Sequence, residues 1–339
     1  MKTQSIFLRL AVLIIAALAC GSARLMAQPQ ASVDEQNMAK AIDAAPDMAG
    51  KARALTEFMK KFPKSSLRPG IAQKAADQIR DMTDAEQKIA MAQQFKTIFN
   101  QPNEEEMIMP ILLVAYSDAK KPDDAFSTGS AYLGQHPDSV SVLVELMNIG
   151  TEEAKRRNGK FVSQSDQYGM HAIELIEANK KPASMSDATW KEYTDLLPRI
   201  YQSVGVLAMV TGDRTKTQAR LTKASQLDAK DPLNYLFLAS SFNDAYQEAA
   251  KKYQAMPDGP AKTAELKNVL ASLERVVDTD AHFIAVSDGN AQLANIRQQE
   301  MGYLETNYKF LHDGKTDGMQ QLIDKYKAPV KPKDPFSLP

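Results

Sequence analysis

The chain of 339 residues has a single cysteine, Cys20, and no excess of positive charge. One cysteine cannot form an intramolecular disulfide, so the stability of the fold has to come from packing. Lys and Arg number 41 against 42 Asp and Glu, which leaves a net charge of −1. Since no basic field exists to hold a polyanion, we expect no nucleic-acid partner.

The sequence also lacks the short motifs of common catalytic and cofactor sites. GxSxG, the phosphate-binding glycine loop and GxGxxG are all absent, which argues against serine hydrolysis, nucleotide hydrolysis and dinucleotide binding. None of the four histidines belongs to an HExxH motif or has a cysteine nearby. They are His136, His171, His282 and His312. We therefore predict a protein that is not an enzyme, with no catalytic residue, no metal site and no cofactor.

A long apolar run occurs only near the N-terminus, where Lys2 and Arg9 precede residues 10–19. A run of this length after a positive start is typical of an export signal, which we assign to residues 1–27. Cleavage at a site ending in a small residue, after residues 21–23 or 25–27, would remove Cys20. The alternative is a lipobox, degenerate because Ala17 stands where leucine is preferred, in which Cys20 carries lipid. Membrane contact is expected only through that anchor.

From Val33 to Lys327 the pattern is helical, because apolar residues recur three and four apart and Gly and Pro lie between the runs. In VGVLAMVTGDRTKTQARL, the pair Gly212-Asp213 predicts the corner of a helical hairpin. The small Gly205 predicts close approach of a neighbouring helix. Residues 328–339 hold four prolines and indicate an extended tail.

The hairpin pattern repeats after 34 residues. The matching positions are Tyr201 with Tyr235, Val204 with Leu238, Gly205 with Ala239, and Ala208 with Phe242. With this period and these offsets the chain resembles the tetratricopeptide repeat family. It departs from the family at Thr217, where alanine is favoured, and at Ala229, where proline is favoured. Similar but weaker units lie at residues 110–139 and before Pro63.

The resemblance implies an all-α fold, a right-handed superhelical solenoid of antiparallel helix pairs over residues 28–327. The best repeats lie at 198–246, and a last pair is expected around Gly314. About eighteen extra residues around 247–266 are expected to lengthen one pair.

By the same resemblance, the first helices of the pairs line a concave surface that binds a protein or peptide. The inward positions of the best repeats are Arg199, Gln202, Met209, Asn243 and Asp244. Gln202 and Val206 stand where a carboxylate clamp would begin, so binding of a partner's C-terminus is not indicated. We expect an exported, non-catalytic interaction scaffold of the periplasm or cell envelope, acting in envelope assembly and, if Cys20 is lipidated, anchored to the outer membrane.

Two other functions are open at this point. One is a periplasmic binder of a small solute or short peptide, with a pocket between the superhelix and residues 247–266. The other is a glycan-acting enzyme using carboxylates such as Glu145 and Glu152.

Several local patterns have structural interpretations. Glu104–Glu106 is expected to be the acidic first turn of a helix, and Lys155–Lys160 a helix C-terminus finishing at Gly159. Trp190 is expected to pack in the core, and so are the methionines at positions 147, 170 and 209.

Overall fold

The structure is a computed structural model that describes residues 31–183 and 185–327. Over these residues it contains fifteen α-helices, two short 3-10 helices and no strand. The all-α fold class is therefore confirmed. The predicted export signal, Cys20 and the proline-rich tail at 328–339 lie outside the described residues.

The helices fall into two compact units. The first unit runs to Thr83 and includes Ala90–Ile108, and the second comprises Asp84–Ile89 and the chain from Met109 onwards. In chain order the helices are α1 Val33–Ala44, α2 Met48–Lys61, α3 Arg68–Arg80, α4 Ala85–Ile98, α5 Pro102–Asp118, α6 Pro122–Leu133, α7 Val140–Lys155, α8 Val162–Glu177, α9 Asp187–Asp195, α10 Leu197–Val210, α11 Arg214–Leu227, α12 Pro232–Ala255, α13 Pro260–Val286, α14 Ala294–Leu311 and α15 Met319–Lys325. The 3-10 helices are Gly159–Phe161 and Ala291–Leu293.

The first unit has a core of aromatic side chains and one buried ion pair. Phe58 and Phe99 are fully buried, and the rings of Phe95 and Phe99 lie 4.5 Å apart between centroids. The Arg68 guanidinium donates to both carboxylate oxygens of Glu104, at 2.6 and 2.8 Å, although both residues are buried. Glu104 thus lies in the first turn of α5 as predicted, but it also neutralises an arginine in the core.

The second unit is a series of helix pairs that pack in chain order. Helix α7 packs on α8, α8 on α10, α10 on α11, α11 on α12, and α12 on α13. The first helices of consecutive pairs also touch one another, since α7 contacts α10 and α10 contacts α12. The predicted solenoid of helix pairs is therefore present in this unit, and its handedness stays a prediction.

One pair is longer than the others, as the extra residues predict. Helices α12 and α13 have 24 and 27 residues, whereas α10 and α11 have 14 each. The additional turns are joined by an ion pair between Lys252 Nζ and Glu265 Oε2 at 2.8 Å. Residues 247–266 form the end of α12, the start of α13 and the turn between them. The predicted pocket beside this segment stays a prediction.

The end of α7 differs from the prediction. The helix finishes at Lys155 rather than at Gly159, and Arg157 takes the left-handed conformation with φ +66°. The amide of Asn158 donates to the Glu153 carbonyl at 2.9 Å, which closes the helix early. Gly159 instead begins a 3-10 helix, which leads to Phe161 stacked on Phe126 at 4.1 Å.

The core-packing predictions for the large side chains are confirmed for two of the four residues. Met147 and Trp190 are buried, and Trp190 Nε1 donates to Asn179 Oδ1 at 3.0 Å. Met209 is half-buried. Met170 is 36% exposed, so its prediction as a core residue is wrong. It lies at the edge of the buried face of α8, three residues before the buried Ile173.

Candidate functional site

The corner of the best repeat has the predicted backbone and capping contacts. Gly212 has φ +74°, a left-handed conformation that ends α10. The Asp213 side chain then caps α11 by accepting from the Lys216 amide at 3.0 Å. These contacts account for the Gly-Asp pair without any catalytic role.

Two small or polar positions let the helices of this hairpin approach each other. A Cβ added to Gly205 would lie 2.8 Å from Leu221 Cδ2, so the glycine is needed for the contact between α10 and α11. Thr217 stands where alanine is favoured and is 1% exposed. Its hydroxyl donates to the Asp213 carbonyl at 2.9 Å, which satisfies the polar group inside the hairpin.

The five predicted partner-binding residues lie on the first helices α10 and α12, which contact each other. Arg199 and Asp244 are exposed, whereas Gln202, Met209 and Asn243 are half-buried. Among the described residues, neither Arg199 nor Asp244 has an ion-pair partner. Both charges are therefore available to a partner, and the predicted binding role of all five residues stays a prediction.

Gln202 has a structural role that the sequence analysis missed. Its amide nitrogen donates to Asp231 Oδ2 and to Asn234 Oδ1, each at 2.8 Å. Asp231 also caps α12 by accepting from the Leu233 amide at 2.9 Å. Gln202 therefore fastens α10 to the start of α12, and it fixes the spacing of the two first helices.

The aromatic position of the repeat is also held by hydrogen bonds. The Tyr201 hydroxyl donates to Glu177 Oε1 at 2.8 Å, and Tyr235 donates to the Ala229 carbonyl at 3.2 Å. Burial, and then the bond to Glu177, raise the pKa of Tyr201 to about 12. The hydroxyl therefore stays protonated near neutral pH and serves as a donor.

A second arginine links three helices of the second unit. Arg220 of α11 donates to both oxygens of Asp166 on α8 and, at 2.9 Å, to the Val204 carbonyl on α10. The Arg220 side chain is only 11% exposed. No local pattern in the sequence signals this contact, because Arg220 and Asp166 lie 54 residues apart.

The two carboxylates considered for glycan hydrolysis have different surroundings. Glu145 is half-buried, and burial raises its pKa to about 7. Glu152 is exposed and pairs with Lys155 Nζ at 2.6 Å. The two residues lie about 10 Å apart along α7 at 1.5 Å per residue. Nothing in these contacts aims the two groups at one substrate.

The histidines lie in separate places. His136 stacks on Tyr132, His171 pairs with Asp138 at 2.9 Å, and His312 stacks on Tyr308. His282 lies between the rings of Tyr235 and Tyr326, at 3.6 and 4.0 Å, and burial lowers its pKa. Residues 31–183 and 185–327 hold no group of three or more His, Cys, Asp or Glu side chains placed to bind a metal ion.

Asp280 of α13 and Glu300 of α14 are carboxyl groups that interact, the first buried and the second half-buried. Asp280 is 2% exposed and has no hydrogen-bond or ion-pair partner among the described residues. Burial, with a smaller contribution from the charge of Glu300, raises the pKa of Asp280 to about 8. Burial also raises the pKa of Glu300.

No protein-family model matches the chain, and no curated protein matches it. The chain is similar to the crystal structure of a tetratricopeptide repeat protein from Parabacteroides merdae, at 11% sequence identity and a TM-score of 0.39. The match covers 86% of this chain and 96% of that one. No helix in the described part of the chain is long and apolar enough to cross a membrane.

Proposed function

We propose that this protein is an exported, non-catalytic scaffold that binds a protein partner in cell-envelope assembly. The observation that carries the proposal is the direct contact between the first helices of consecutive pairs, α7 with α10 and α10 with α12. Stacked helix pairs present a continuous surface, which suits an extended peptide or a helix of another protein. Export and the envelope location rest on the apolar run at residues 10–19.

The binding surface we propose is the first-helix face, defined by Arg199, Met209, Asn243 and Asp244. It combines a half-buried apolar side chain with an amide and with two exposed charges of opposite sign. Met209 can adapt to different apolar side chains because its thioether chain is flexible and polarisable. Gln202 positions α10 against α12 and thereby sets the spacing of these groups.

Photo-crosslinking in the native envelope tests the proposal. A photoreactive amino acid is placed at position 209 or 243, with position 226 on the exposed surface of α11 as the matched control. We expect the same protein to be captured from positions 209 and 243 and not from 226. Identical products from all three positions, or none from the first two while the protein is abundant and folded, would refute the first-helix face.

Charge reversal gives an independent readout. Arg199→Glu combined with Asp244→Lys should reduce capture from position 209, because both charges face a partner rather than an internal counter-ion. The double variant Lys60→Glu, Asp81→Lys changes two exposed charges elsewhere and serves as the control. Equal capture with both double variants would remove the electrostatic part of the proposal.

A further inference from the structure

The first unit encloses a cavity that the proposed interaction surface does not use. Its volume is about 240 Å³, and helices α1, α2, α3 and the end of α4 contribute to its walls. The walls are formed by buried apolar side chains, among them Ile42, Leu55, Ile79 and Phe95. Filling such a cavity with an apolar group removes water from hydrocarbon surface, which favours binding.

The mouth of the cavity is apolar and partly exposed. Met48, Ile71, Met91 and Ile98 line it and are half-buried. Gly70 of α3 also lines it, and a Cβ added there would meet no atom within 4 Å. An elongated apolar ligand can therefore extend from the walls to the surface.

Charged groups at the mouth are not balanced. Lys74 is neutralised by Asp43, since its Nζ lies 2.6 Å from Asp43 Oδ1. Lys51, on α2, donates to Gln78 Oε1 at 3.4 Å, and no carboxylate of the described residues lies within ion-pair distance of it. Both lysines line the cavity, so the mouth has one positive charge without a counter-ion.

We infer that this cavity binds a free medium-chain aliphatic carboxylate, with its chain between α1, α2, α3 and α4 and its carboxylate on Lys51. The apolar walls select the chain, and the unpaired ammonium group selects the negative head. A cationic head group would be repelled by Lys51 and Lys74. A neutral head group would leave the half-buried ammonium of Lys51 without an ion pair.

The cavity volume sets the length of the chain. An apolar cavity of about 150 Å³ holds one benzene molecule, which has six carbon atoms. A cavity of about 240 Å³ therefore holds roughly ten carbon atoms by the same proportion. Decanoate is accordingly the probe with the best fit.

Calorimetric titration of the full chain with decanoate, decanol and decylamine tests the charge assignment. We expect decanoate to bind most tightly and decylamine least. Lys51→Met should weaken decanoate by roughly ten-fold or more and leave decanol unchanged, because it removes the ammonium while keeping an apolar stem. Lys60→Met is the matched control, since Lys60 is exposed on the same helix and does not line the cavity.

A blocking variant tests the location. Gly70→Phe places a ring where the glycine leaves open space, so we expect it to weaken decanoate and decanol together by more than ten-fold. Gly302→Phe is the control, because Gly302 is also helical with nothing within 4 Å of an added Cβ and lies in the second unit. Circular dichroism and thermal melting confirm that each variant is folded.

Four outcomes would overturn the inference. The first is an absence of decanoate binding to the unaltered chain, and the second is decylamine binding as tightly as decanoate. The third is unchanged decanoate affinity in Gly70→Phe. The fourth is a peptide with an apolar C-terminal residue that displaces decanoate and binds more tightly, which would assign the same groove to a protein terminus. None of these outcomes depends on whether the first-helix face captures a partner.

Discussion

Asp280 is a single residue whose contribution to stability depends on pH. Its carboxyl group is buried at the α13–α14 contact opposite Glu300, where no cation compensates a negative charge. The folded state therefore holds the proton up to about pH 8, whereas the unfolded chain releases it near the ordinary aspartate pKa of 3.8. Between these values the unfolded state binds fewer protons, so this group destabilises the fold increasingly as pH rises.

We predict that Asp280→Asn stabilises the protein at pH 8 and has little effect at pH 4. The amide is neutral at every pH, so the variant removes a cost that we expect to be on the order of 5 kcal/mol near pH 8, at about 1.4 kcal/mol for each unit of pKa difference. Urea unfolding at pH 4, 6 and 8 measures the difference from the unaltered chain. Asp244→Asn on the exposed surface is the control, and a pH-independent difference for Asp280→Asn would contradict the prediction.

The test compares Asp280→Asn with the unaltered chain at each pH, because His282 changes the stability of the fold with pH in the opposite direction to Asp280. Burial lowers the pKa of its ring, so the unfolded state binds more protons below about pH 6.5 and stability falls as pH falls. This contribution is common to the unaltered chain and to Asp280→Asn. It therefore cancels from the difference between them.

At the scale of the elements, the contact between α10 and α11 depends on one glycine. Gly205 faces Leu221, and the space between them is too small for a methyl group. A helical glycine with free space around it behaves differently, because alanine there restricts only the unfolded chain. Gly302 of α14 is such a position.

We predict opposite effects for alanine at these two glycines. Gly205→Ala should destabilise the protein by about 1–3 kcal/mol through overpacking, and Gly302→Ala should stabilise it by about 0.5–1 kcal/mol. Chemical denaturation measures both. Adding Leu221→Ala to Gly205→Ala should relieve the clash and give a favourable coupling energy. Strictly additive effects would mean that the two residues do not press on each other.

Some helix boundaries could be predicted from the sequence, and others could not. The corner at Gly212-Asp213 was predictable, because left-handed glycine and a side-chain cap are local properties. The end of α7 was not, because Asn158 donates to Glu153 and Arg157 takes the left-handed conformation in place of Gly159. Met170 was misassigned because apolar spacing on α8 does not specify how wide the buried face is.

At the scale of the whole molecule, the second unit is built from contacts between neighbours. Interior helices such as α10 touch α7, α8, α11 and α12, whereas α15 packs on α13 and buries only Ile323. In a stack of this kind stability is approximately a sum of local terms, and the ends open first.

We predict that Ile323→Ala increases amide hydrogen exchange in α14 and α15 and leaves α10 and α11 unchanged. The substitution removes a fully buried side chain at the end of the stack, which typically costs about 2–5 kcal/mol locally. Hydrogen exchange followed by mass spectrometry resolves the segments. A uniform rise in exchange over all of residues 140–325 would show that the second unit opens as one cooperative body.

By itself the sequence determined the helical composition, the 34-residue repeat, the hairpin corner and the lengthened pair. These features follow from hydrophobic periodicity and from turn residues, both of which depend on residues that are close together in the chain. The tertiary structure decided which distant groups meet. Arg68 and Glu104 lie 36 residues apart, Arg220 and Asp166 lie 54 apart, and the walls of the first-unit cavity come from four helices. Such contacts depend on how helices pack against one another, and hydrophobic spacing within a helix does not encode the identity of its neighbour's facing side chains.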